Sequence, residues 1–180
     1  MRVVLDACVL FPTVLREVLI GVARAGLYRP LWSDRILEEW ARAARRFGPG
    51  DEAIARGQIA ALRAEFPAAC VLPQPGLESR LHLPDQNDIH VLASAIAGHA
   101  DVIVTFNAAD FPRGVLAGEG LDRRDPDSFL WQLWSHHPDT VAACAEAVRA
   151  KAEQLSGEDQ PIRALMKRAR LPRLGKALAG

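Results

Sequence analysis

Two short runs constrain the fold of this chain more than any other feature: Val3-Val4-Leu5, ending at Asp6, and Val102-Ile103-Val104-Thr105-Phe106, ending at Asn107. Both lack the polar alternation of a strand with one wet face. They have the pattern of strands covered on two faces in a parallel sheet. Cys70-Val71-Leu72, before Pro73, gives a third candidate strand, and a last one fits near Leu121. In the intervals, apolar residues at three-and-four spacing predict helices over 12–25, 33–46, 51–65 and 86–98. Ser33 is placed to cap the second, Gly50-Asp51 opens the third after a Gly-Pro-Gly break, and Gly98 closes the fourth. Strands alternating with helices imply a three-layer α/β/α sandwich around a central parallel sheet, with right-handed connections.

Beyond Pro126 the pattern turns wholly helical, over 127–134, then 139–155, then a final basic helix near 161–169. We therefore divide the chain into a main domain, residues 1–135, and a helical C-terminal extension, residues 136–180. A length of 180 residues with 49% apolar content suits one real core and a small appendage. Formal charge is zero, but its distribution is uneven: residues 1–160 carry 16 basic and 22 acidic groups, and the last twenty carry six basic groups and no acid. Such a tail reads as a solvated or partner-docking helix face, or as a contact to RNA.

Several classes are excluded. There is no G-x-x-x-x-G-K-[ST] and no strand-linked G-x-G-x-x-G, so no glycine loop cradles a phosphate. Cys8, Cys70 and Cys144 are odd in number and far apart, unlike zinc or redox pairs. No apolar stretch reaches the roughly 18 residues of a membrane span, and Asp6 interrupts the place where a secretory signal would be apolar. A cytoplasmic protein without membrane partners is expected.

The acidic residues carry the chemistry. In a parallel α/β sheet ligands sit outside the carboxyl ends of the strands, which selects Asp6 after one strand and Thr105, Asn107 and Asp110 at or beyond the end of another. Helices return antiparallel, so Asp88, with Asp85 one turn before it, stands at that same edge. Two carboxylates about 4 Å apart repel by roughly 4 kcal/mol at an effective dielectric of 20, so such a group needs a hard cation or a raised pKa. Oxygen-only donors point to Mg²⁺ or Mn²⁺, the usual logic of nucleases.

Four segments then carry a resemblance. Val3 to Leu10 (VVLDACVL), Ser33 to Trp40 (SDRILEEW), Asp85 to Leu92 (DQNDIHVL) and Val104 to Phe111 (VTFNAADF) resemble, in order, the four acidic motifs of PIN-domain ribonucleases. The likeness covers about residues 1–130 and is greatest to VapC-like toxins with a helical C-terminal extension. It implies a metal-dependent endoribonuclease with Asp6, Glu39, Asp88 and Asp110 as catalytic and metal-holding residues, Thr105 and Asn107 as supporting polar groups, and Asp85 as a further ligand or a cap. It also implies an RNA substrate, a toxin–antitoxin role with a small antitoxin protein as partner, and a homodimer. Asn87 departs from the pattern where relatives often carry another acid. Glu38 and Glu39 stand side by side; Glu39 lies nearer the apolar stripe of Ile36, Leu37, Trp40, Ala41 and Ala44.

Each residue alone has a plainer reading: Asp6 as a turn residue, Asp85 and Asp88 as helix caps, Glu38 and Glu39 as partners of Arg42, Arg45 and Arg46, Asp110 as a turn cap before Pro112. Only their joint order favours a site. The five histidines lack zinc spacing and read as non-catalytic, and the four tryptophans read as core or interface anchors. Arg16, Arg42, Arg45 and Arg46 serve either as phosphate contacts or as solvated faces. A haloacid-dehalogenase-like phosphatase also begins with a strand and an aspartate, but Cys8 occupies the place of its second aspartate. A catalytically silent scaffold of the same fold, binding RNA or protein, is the rival from another class.

Overall fold

The structure is a computed structural model that describes all residues 1–180. The chain runs through β1 (Arg2–Leu5), α1 (Ala7–Leu10), α2 (Thr13–Arg24), β2 (Arg29–Ser33), α3 (Asp34–Ala44), α4 (Asp51–Glu65), β3 (Cys70–Val71) and α5 (Pro75–Glu78). A 3-10 turn (Gln86–Asp88) leads into α6 (Ile89–Ala97), followed by β4 (Val102–Val104), α7 (Arg113–Gly118) and β5 (Asp122–Arg124). Four helices complete it: α8 (Pro126–His136), α9 (Pro138–Ser156), α10 (Ile162–Arg168) and α11 (Pro172–Leu178).

All five strands form one parallel sheet in the order β3-β2-β1-β4-β5, with flanking helices, as the sequence predicts. The chain steps outward from β1 to β2 and β3, then returns to place β4 on the other side of β1. The strand order therefore reverses between β1 and β4, where the two crossovers diverge and leave a crevice at the carboxyl ends. Val3, Val4, Leu5, Ile103 and Val104 are completely buried, which explains why neither central strand alternates.

Packing groups the residues into two compact units: Met1–Phe11 with Arg29–Arg124, and Pro12–Tyr28 with Asp125–Gly180. The sheet lies in the first. There α6 packs on β1, β2 and β4, while α3 packs on β2 and α4. The close of α6 is tight, since a Cβ on Gly98 would stand 2.8 Å from Leu31 Cδ1 and 3.0 Å from Val71 Cγ2. In the second unit α2 packs on α9, α8 on α9 and α11, and α10 on α11. The Tyr28 hydroxyl donates to the Leu19 carbonyl (2.8 Å), and its ring meets Phe129 edge-on.

Three elements depart from the sequence reading. No strand was expected over Arg-Pro-Leu-Trp-Ser, the segment that forms β2, and its proline removes a ladder donor. Pro30 is tolerated because β3 pairs with β2 only from Trp32 onward, so the missing N–H faces no neighbour. The expected helix 86–98 instead begins with the 3-10 turn, and the basic helix expected near 161–169 is present as α10 but is followed by a further helix, α11.

Candidate functional site

Asp6 is the first residue beyond β1 and is almost fully buried. Its backbone N–H continues the ladder to the Val104 carbonyl (3.2 Å) and its own carbonyl starts α1. Its side chain does not cap that helix. Instead Asp6 Oδ2 accepts from the Thr105 hydroxyl (2.6 Å) and from the Cys8 thiol (3.2 Å). Thr105 is buried just past β4, and its Oγ1 in turn accepts from the Asn107 backbone N–H (2.9 Å). The Phe106 N–H donates to Cys8 Sγ (3.3 Å). Burial, and then the charge of Asp6, pushes the Cys8 thiol up to about 12, so it stays protonated and able to donate.

Asn107 thus reaches Thr105 through its main chain, while its side chain is exposed. Asp110 follows in the same turn, its N–H bonded to the Asn107 carbonyl (3.1 Å).

Asp85 and Asp88 divide their roles. Asp85 is the cap: its Oδ1 accepts from the Asn87 backbone N–H (2.9 Å) and side-chain amide (3.0 Å). Asn87, the departure from the acidic pattern, is therefore used locally. Asp88 occupies the N-cap position of α6 without capping through its side chain. Its carboxyl is pushed up to about 6, first by burial and then by the negative charges of Asp6, Asp110 and Asp85. Carboxylates from three separate segments therefore act on one another at the β1/β4 switch point.

The adjacent glutamates also separate. Glu38 is gripped by Arg42 (2.9 Å) and by both terminal nitrogens of Arg56 (2.8 and 3.0 Å), which hold its carboxyl well below the usual range, at about 2. Glu39 faces α6: Arg35 Nε stands 3.4 Å from its Oε1 and His90 Nε2 2.9 Å from the same atom. The His90 contact is close but misaligned, so this buried imidazole has neither ring nitrogen in a formed hydrogen bond. Arg35 also donates to the Asn87 carbonyl (3.3 Å), tying α3 to the turn before α6.

The structure thus brings Asp6, Asp88 and Asp110 into mutual electrostatic reach, and sets Glu39 against Arg35 and His90. No three His, Cys, Asp or Glu side chains meet closely enough to form a ready-made metal cage. Sequence reasoning gave Cys8, Arg35 and His90 no part in the site. The signals were present: Arg35 lies four residues before Glu39, and His90 stands two residues after Asp88 on a helix otherwise rich in apolar residues.

The sequence matches the family model described as the PIN domain over residues 2–109. No curated protein and no solved structure matches the chain. PIN domains are typically nucleases that use divalent metals. With four acidic motifs in order and a match across more than half its length, this chain belongs to the PIN-domain family.

Proposed function

We propose that the chain is an endoribonuclease that hydrolyses RNA phosphodiester bonds with Mg²⁺ or Mn²⁺. The feature that carries this reading is the gathering of Asp6, Asp88 and Asp110 beyond β1, before α6 and beyond β4, where the Asp88 carboxyl is pushed up first by burial and then by its acidic neighbours. Repulsion of that kind is relieved by a divalent cation, and an all-oxygen donor set suits a hard one. The donors fit such an ion without a preformed cage, because Mg²⁺ commonly takes one or two protein carboxylates and keeps several waters. Asp6, Asp88 and Asp110 would hold it, with Glu39 completing the acidic rim. A bound cation there supplies charge neutralisation at a transferring phosphate and acidifies water.

The chain's own groups perform the positioning. Thr105 and Cys8 fix Asp6 Oδ2, the Asn107 N–H fixes Thr105, and the Asp85 cap sets the entry to α6 and hence Asp88. Family resemblance extends the reading to a VapC-like toxin acting in the cytoplasm as a homodimer and silenced by an antitoxin protein. No helix is long and apolar enough to cross a membrane.

Incubating the purified chain with total RNA, with Mg²⁺ or Mn²⁺ and with chelator, tests the chemistry. Cleavage that requires metal and disappears in Asp6→Asn is expected; metal-independent cleavage, or a fully active variant, rejects it. The rival reading is a silent PIN scaffold that binds RNA or protein and whose Asp6, Asp88 and Asp110 take no ion. A thermal shift at millimolar metal, together with cleavage, separates the two.

A further inference from the structure

Nine of the chain's nineteen arginines are held by acidic side chains. Arg35, Arg42, Arg45, Arg56, Arg63, Arg80, Arg113, Arg124 and Arg149 all pair with carboxylates. The α10–α11 hairpin concentrates cations: between Pro161 and Gly180 it carries Arg163, Lys167, Arg168, Arg170, Arg173 and Lys176, all exposed, and no acid. Arg168 bonds the Gln160 side-chain carbonyl, and Arg163, Lys167 and Lys176 enter no salt bridge.

Helix dipoles explain part of this set, since Lys167, Arg168 and Lys176 lie in last turns, where cations are favoured. They do not explain Arg163 and Arg173, which lie in first turns, where a cation is disfavoured. Nor do they explain Arg170, held left-handed at φ 63°, a conformation that favours glycine.

The hairpin is also firmly built. Asp127 caps α11 through the N–H groups of Arg173 (2.8 Å) and Leu174 (2.9 Å), and Gly175 lets α11 close on Met166, where a Cβ would stand 2.8 Å from the Met166 Cβ. That cap places the Arg173 guanidinium 3.4 Å over the Trp131 ring centroid. A guanidinium stacked on one face offers the other to a nucleobase.

We propose that the α10–α11 hairpin is a docking surface for single-stranded RNA, its cations gripping phosphates and the Arg173–Trp131 stack receiving a base. The choice of RNA rests on the ribonuclease reading. The stacked guanidinium favours a nucleic acid over an acidic protein, which has no base to stack. The cations are spread along a rigid hairpin, as a phosphate backbone requires.

The test uses the full chain and a fluorescent 20-nucleotide oligouridylate in excess EDTA, so that binding is read without cleavage, with anisotropy followed against KCl. Engaging four or more phosphates gives a log–log salt slope near or steeper than about −3, since each contributes roughly −0.7 on a single strand. R163E/K167E should weaken binding about tenfold or more and flatten the slope by roughly 1.4. Arg173→Gln should weaken it about tenfold while flattening the slope by only roughly 0.7. All three positions are exposed, and circular dichroism verifies that the variants fold. Unchanged RNA affinity in folded variants overturns the proposal, as does displacement of the RNA by polyglutamate at equal charge, the signature of an acidic-protein surface. Because metal is chelated, failed cleavage elsewhere sinks the nuclease reading and leaves this binding result standing.

Discussion

Asp88→Asn turns the electrostatics of the crevice into a measurable stability. In the metal-free protein Asp88 has an ordinary value of 3.8 and a folded value of about 6, raised by burial, Asp6, Asp110 and Asp85. A carboxyl whose folded pKa is raised resists ionisation, so its penalty is absent below about pH 4, grows as pH rises toward 6, and is constant above. Two units correspond to roughly 3 kcal/mol. Asp88 is only half-buried and solvent screens much of this, which leaves about 1 kcal/mol. Asparagine removes the charge, caps helices as well as aspartate, and breaks no side-chain cap here. In EDTA at pH 7.5 the variant should therefore melt about 2–4 °C above the parent, and at pH 4 the two should nearly coincide. Millimolar Mg²⁺ should raise the parent and leave the variant largely unmoved. Differential scanning calorimetry at the two pH values reads all of this. A variant less stable at pH 7.5, or a gap that does not depend on pH, refutes the account of a carboxyl held back by burial and by its acidic neighbours.

Thr105→Val deletes the 2.6 Å hydroxyl bond to buried Asp6 at nearly constant volume; urea denaturation should show a loss of about 1–3 kcal/mol, and Thr105→Ser should recover much of it. Glu38→Gln should cut RNA at close to the parental rate, because its arginine contacts are exposed, while Glu39→Gln should lose about tenfold or more; the reverse ranking would assign the site to the other glutamate. Cys8, raised to about 12, should be the last of the three cysteines alkylated by iodoacetamide under native conditions, as followed by peptide mass; fast modification would mean that the thiol does not donate to Asp6.

Strands that are buried on both faces announce themselves by composition, which is why β1 and β4 were legible and, with them, the parallel sheet. Helix caps are local chemistry, and Ser33 does accept from the Ile36 N–H (3.3 Å). The strand β2 was hidden because Pro30 is acceptable only where its neighbour has not yet begun, a matter of register between distant segments. The pairing of Glu38 with Arg56 from α4, and of Glu39 with His90 from α6, was hidden for the same reason. Two adjacent carboxylates on one helix turn toward different partners, and only the packing of α3 says which goes where.

The amino-acid order alone determined the α/β class, the family and the positions of the acidic motifs, because periodicity, capping and motif spacing are properties of neighbours along the chain. The tertiary structure alone decided that Asp85 caps while Asp88 is strained, and that Cys8 and Thr105 both hold Asp6. It also decided that Asp127 seats Arg173 on Trp131. Those outcomes depend on burial and on charges brought close from far apart in the chain, and both arise only when the β1/β4 crevice and the C-terminal hairpin have formed.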